Sequence, residues 1–231
     1  MTRAQRRIDI SAQNISNIAT SGYKRSVDFP TILASGSGSG TEIFGLSSGS
    51  IPDNTVFDFT PGKRMDTGVL TDLAILGDGF FCIQGNDGLF YTRAGHFERG
   101  ADGRLLTHEG FSLQSQSGGD LKLEPGAFQV QADGTVMQGG QAVGRIAVVD
   151  FADRLAITQL DGGLFATSAS NVKPVDAPAV DQGSLEASNV STAVEMIDIM
   201  SALRSAQAGA KLANVYDDLL GRAITTFGGQ G

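Results

Sequence analysis

Apolar and polar positions fall into three regimes along the chain. Over residues 1–20, Ala4, Ile8, Ile15 and Ile18 recur at roughly helical spacing, and Gly22 marks a stop. From about Thr55 to Thr167 the period shortens. Apolar or alternating runs ("LAILGDGFFCIQ", "LFYTRA", "RLLTHEGFSL", "FQVQADGTVMQ", "RIAVVDF", "LAITQL") are separated by glycine-containing turns. Asp78-Gly79, Asp87-Gly88, Asp102-Gly103, Asp133-Gly134 and Asp161-Gly162 supply the positive φ angles that tight hairpins need, which predicts an antiparallel meander rather than βαβ units. After "VKPVDAPAV" the helical period returns. The segment from Ser184 to Phe227 contains no proline and reads as one long helix.

That helix carries two apolar stripes. Val190, Val194, Ile197, Leu212, Val215 and Leu219 form one; Met196, Met200, Leu203, Ala206, Ala210, Ala213 and Leu220 form the other. A surface helix needs a single stripe, so two imply neighbours on two sides. The N-terminal helix is short, and Asn14, Ser16, Asn17, Thr20 and Ser21 within "AQNISNIATSGYK" are poor helix formers, so it needs outside support. The expected fold is mainly β: a central antiparallel β domain flanked by N- and C-terminal helices that pair in an assembly. The expected boundaries are 1–34 for the N-terminal helical segment, 35–54 for a flexible Gly/Ser-rich connector, 55–183 for the β domain and 184–231 for the C-terminal helical segment. With their stripes unpartnered, the ends are expected to be largely disordered in an isolated monomer.

Composition supports this reading. Thirty-one glycines against six prolines suit a turn-rich β domain, and 41% hydrophobic with 18% charged residues suit a globular chain. The formal net charge of −8 argues against nucleic-acid binding. Charge is uneven, with residues 1–25 at net +4 and residues 184–224 at net −2, so the two ends are expected to attract each other. The N-terminus is polar and basic without a signal-peptide apolar stretch, and no apolar run reaches the length of a membrane span. Export, if it occurs, is expected to leave no cleavable apolar signal.

Candidate chemistry is sparse. His96 and His108 each stand beside a predicted turn, without the His, Cys or Glu spacing of a zinc site. "GSGSG" neither follows a strand nor opens a helix, so it is a linker and not a nucleotide-binding loop. Cys82 in "GFFCIQ" reads as a small core side chain. "NIS" and "NVS" match a glycosylation sequon by a pattern too short to weigh. No catalytic constellation, cofactor or metal is expected. A carbohydrate-binding or adhesin-like β module is the rival from another class, although the chain has no Trp and only three Tyr.

Four stretches resemble the bacterial flagellar axial proteins, the rod and hook family. "AQNISNIATSGYK" is similar to that family's Asn-rich N-terminal motif and "TGVLTDLAILGDGFF" to its Gly-Asp-Gly-Phe-Phe run. "YTRAGHFERGADGRLLTHEGFSL" is similar to its Tyr-Thr-Arg segment and "DQGSLEASNVSTAVEMIDIM" to the lead into its C-terminal helix. They occur in family order. The resemblance implies a non-enzymatic rod subunit of proximal-rod type, with a distal-rod or hook subunit as the alternative. It implies export through the flagellar type III apparatus, location in the periplasmic rod of the basal body, and assembly with copies of itself and other rod proteins. It also implies a further turn or two of helix ahead of Met1, and "SAQAGAK" after "MSALR" departs from the family pattern. Candidate subunit-interface residues are Asn14, Asn17, Gly22 and Lys24 at the first seam. Leu185, Glu186, Ser188, Asn189, Val194 and Met200 are the candidates at the second. For Gly22 the alternative role is ending a helix, and for Ser188 and Asn189 it is capping one.

Overall fold

The computed structural model describes residues 3–28 and 55–228, and the connector expected over 35–54 lies outside them. The described chain falls into two compact units. One holds both helices, α1 (Arg3–Ser16) and α2 (Thr192–Gly228), with the strand Ser26–Asp28. The other holds residues 17–25 and 56–190.

The second unit is antiparallel β throughout its strand pairs. Its largest sheet has nine strands. Seven run in the order Thr158–Gln159, Leu164–Ala166, Gly88–Thr92, Phe80–Gly85, Ser112–Leu113, Leu105–Leu106 and Glu98–Arg99, and Val148–Phe151 joins Phe80–Gly85 to Val172–Pro174. Phe128–Val130, Thr135–Gln138 and Gln141–Arg145 form a three-stranded meander with a bulge at Val136/Met137. Two short pairs complete the unit: Leu73–Ile75 with Val180–Gln182, and Arg64–Asp66 with Ser184–Glu186.

Its turns follow the chemistry expected of Asp-Gly. At Asp133-Gly134 the glycine sits at φ 80° and the Asp133 carboxylate accepts from the Thr135 amide at 3.0 Å, while Asp102 does the same for Arg104 at 3.2 Å beside Gly103 at φ 83°. Two apolar clusters fill the unit. One is built on Phe81, Ile83, Phe97, Leu105, Leu113 and Ile146; the other on Phe80, Cys82, Tyr91, Phe151, Ile157 and Phe165. Alternation along "FFCI" assigns successive residues to opposite clusters, as a strand buried on both faces requires.

In the first unit α1 and α2 pack together. Arg7 Nη2 stands 3.6 Å from Asp198 Oδ1, one contact of the basic end with the acidic end. The fully buried positions on α1 are Ser11 and Asn14, whereas Ile8 and Ile15 are only partly covered. The buried side of α1 is therefore more polar than its isoleucine spacing predicts. On α2, Glu195 and Ala202 are fully buried.

One element differs from expectation. The long helix begins at Thr192, not at Ser184. Ser184–Glu186 is a strand in register with Arg64–Asp66, and the Ala187 amide continues that pairing to the Lys63 carbonyl at 2.8 Å. Strand pairing across more than a hundred residues overrides the local helical period.

Candidate subunit interface

Four of the ten candidate residues, Gly22, Lys24, Glu186 and Asn189, meet inside one chain. Glu186 is the centre of that meeting. Its side chain is nearly inaccessible and its Oε1 accepts from Lys24 Nζ at 2.6 Å and from the Gly62 amide at 2.7 Å, while Oε2 accepts from Arg93 Nη1 at 3.1 Å. Lys24 Nζ also donates to the Thr60 carbonyl at 2.9 Å. Arg93 lies against the Phe80 ring, 5.3 Å from its centroid, and its Nε has no hydrogen-bond partner among the described residues. Two cations thus share one carboxylate in a site closed to solvent. Burial pushes the Lys24 ammonium and the Arg93 guanidinium below their ordinary pKa ranges, and Glu186 opposes both shifts.

Asn189 ties the same segments through neutral groups. Its Oδ1 accepts from the Arg25 amide at 2.7 Å, and its Nδ2 donates to the carbonyls of Asp58 and Thr60 at 2.8 and 3.0 Å. Gly22 donates its amide to the Glu186 carbonyl at 2.7 Å. It has φ +70°, and a Cβ there would come within 2.2 Å of the Arg93 carbonyl carbon, so glycine is required on both counts. Gly22 lies six residues beyond the end of α1, so its role is this close packing and not the ending of a helix.

The remaining candidates lie elsewhere. Asn14, on α1, exchanges hydrogen bonds with the Ser26 backbone: Nδ2 donates to its carbonyl at 2.8 Å and Oδ1 accepts from its amide at 2.9 Å. Asn17 Oδ1 accepts from Thr20 Oγ1 at 3.2 Å. Leu185 is opposite Met65 in the strand pair, and Ser188 Oγ accepts from the Val190 amide at 3.3 Å. Ser188 and Asn189 precede α2 by several residues and do not cap it; the Glu195 amide bonds the Ser191 carbonyl. Val194 and Met200 are on α2 and exposed.

These two belong to a larger surface. Val194, Met196, Ile197, Met200, Leu203, Leu212 and Val215 are all between 44% and 71% exposed. Relative to the buried line of Glu195 and Ala202, helical geometry places Met196, Met200 and Leu203 on one flank and Val194, Ile197, Leu212 and Val215 on the other. Along the described part of α2 both predicted stripes are therefore left bare, since what α1 covers is the narrow face between them. Val190, ahead of the helix, is buried. Ala213, Leu219 and Leu220 lie outside the residues whose side chains are described. The partners of Lys24 and Arg93 were missed by sequence reasoning because nothing local connects residues 24, 93 and 186. Lysine and glutamate in otherwise apolar or small surroundings were the available signal.

Chemistry of other kinds is thin. His96 Nδ1 is 2.7 Å from Asp72 Oδ1, and no group of three His, Cys, Asp or Glu among the described residues is placed to hold a metal. Among the described residues no helix is long and apolar enough to cross a membrane.

Residues 74–158 match the family model described as the D1 domain of the flagellar hook protein FlgE/F/G, and residues 181–226 match the C-terminal model of the flagellar basal body rod FlgEFG proteins. The flagellar basal-body rod protein FlgF of Caulobacter vibrioides is 33% identical over 97% of this chain and 93% of its own length. This chain belongs to the flagellar basal-body rod proteins. FlgG of Bacillus subtilis is 32% identical over 95% of this chain and 93% of its own length, and FlgF of Mesorhizobium japonicum is 30% identical over 97% and 92%. The rod protein is thus a structural, non-enzymatic subunit of the basal body. The first family model falls within its β unit, and the second takes in the Val180–Gln182 and Ser184–Glu186 strands with most of α2.

Proposed function

We propose that this rod protein is a proximal-rod subunit of FlgF type, exported through the flagellar type III apparatus and assembled in the periplasm. There, copies and other rod proteins cover one another's α2 flanks. The observation that carries the reading is the pair of bare apolar stripes. Burying seven such side chains releases on the order of 10 kcal/mol per copy, enough to drive association and to spread torsional load over many contacts. Val194 and Met200 stand directly on those stripes. Asn14, Lys24, Glu186 and Asn189 serve the interface indirectly, by shaping the chain that presents it. FlgF and FlgG relatives match at similar identity, so the distal-rod subunit is the second reading.

The double variant Ile197→Glu/Met200→Glu tests the interface. Both positions are exposed in the single chain, so the unfolding free energy of the isolated protein, measured in urea, should change by no more than about 0.5 kcal/mol. Cells relying on the variant should be non-motile and show basal bodies without a complete rod by electron microscopy. Normal rods in those cells would defeat the proposal. Deleting the coding region separates the two readings: a proximal subunit's loss leaves no distal rod, whereas a distal subunit's loss leaves a proximal stub.

A further inference from the structure

The β unit is closed by a segment from each end of the chain, and a buried cation stands between them. Residues 17–25 contribute Gly22, Tyr23 and Lys24, all buried, and residues 184–189 contribute Glu186 and Asn189. Among the described residues Glu186 is the one carboxylate hydrogen-bonded to Lys24, and it follows Lys24 by 162 positions. Without Glu186 the docked position of Lys24 offers the Thr60 carbonyl, the weaker attraction of Asp58 and the repulsion of a second cation, Arg93. A buried ammonium with no carboxylate bonded to it is costly, so docking of the N-terminal segment is unfavourable until the C-terminal segment is in place.

We propose that Lys24 is an interlock: it keeps residues 17–25 off the β unit until Glu186 arrives, so that the two segments leading to α1 and α2 dock together or not at all. A chain delivered from its N-terminus, whether from a ribosome or through a pore, has Lys24 free long before Glu186 emerges. Simple hydrophobic docking of Tyr23 would let the N-terminal segment bind early; the cation prevents it. The device works by penalty and not by attraction. Lys24 is therefore replaceable by a neutral residue, which leaves Glu186 to Arg93, whereas Glu186 is not replaceable while Lys24 remains.

The test is a two-residue cycle in the full-length protein with two readouts. Tryptic cleavage after Arg25 reports opening of the N-terminal segment, and alkylation of Cys82, buried in the second apolar cluster, reports opening of the β core. Glu186→Gln should accelerate cleavage about 100-fold or more while Cys82 stays protected, because it strands both cations. Adding Lys24→Met should bring cleavage back to within about tenfold of the parent, since the segment then carries no charge to bury. Parental cleavage in Glu186→Gln would overturn the interlock. So would a double variant as open as the single one, or loss of Cys82 protection in step with cleavage.

Discussion

Gly22 shows how one residue without a side chain holds two constraints. Its φ of +70° disfavours any L side chain, and the Arg93–Ala94 backbone fills the space where a Cβ would stand. Gly22→Ala should cost about 3 kcal/mol or more, read as a drop in the urea midpoint with the slope unchanged. Cys82 makes the opposite point, a polarisable group made inert by its setting. Burial lifts its thiol from 9.0 to about 11. The folded protein then keeps a proton that the unfolded chain gives up. The stability owed to this group is present below about pH 9 and is lost as pH rises towards 11. Urea midpoints should fall between pH 8 and pH 10.5, and Cys82→Ala should remove part of that fall. Buried Tyr91, which burial also pushes upward, contributes in the same direction.

At the scale of elements, α2 is the informative case. Its central half carries Ala206, Ala208, Gly209 and Ala210, and nothing stands within 4 Å of a Cβ built on Gly209. In the isolated chain glycine there is a cost without a return, so Gly209→Ala should stabilise α2 by about 0.5–1 kcal/mol. The check is the thermal unfolding of helical circular dichroism in dilute protein. The helix was legible in the sequence because its period persists for more than thirty residues. Its start was not, because Ser184–Glu186 has helical spacing yet finds a strand partner at Arg64–Asp66. The Asp-Gly turns were legible for a local reason: the aspartate side chain bonds its own turn, and no distant residue is needed.

At the scale of the whole molecule, expectation and structure part over the seam candidates. Sequence proximity to a family motif marks Asn14, Lys24, Glu186 and Asn189 as important but cannot say to what they bind. The chain turns out to bind them to itself, through pairs separated by between 12 and 164 positions. Stripes of apolar side chains carry a different kind of information, since their surplus over available cover is countable without a fold. The two ends, expected to attract each other, are in contact within one chain, where α1 packs on α2. The flanks of α2 remain bare even so.

The two helices also differ in reach. Over the described residues they have 14 and 37 residues and extend about 21 Å and about 56 Å, so the described α1 falls short of its companion by roughly 35 Å. In any regular stack that leaves none of this length bare, successive copies must be offset by less than one long helix. Each then overlaps more than one neighbour, like roof tiles. A missing tile in such a stack opens a gap without severing the column, and a load that arrives at one tile is passed on through several.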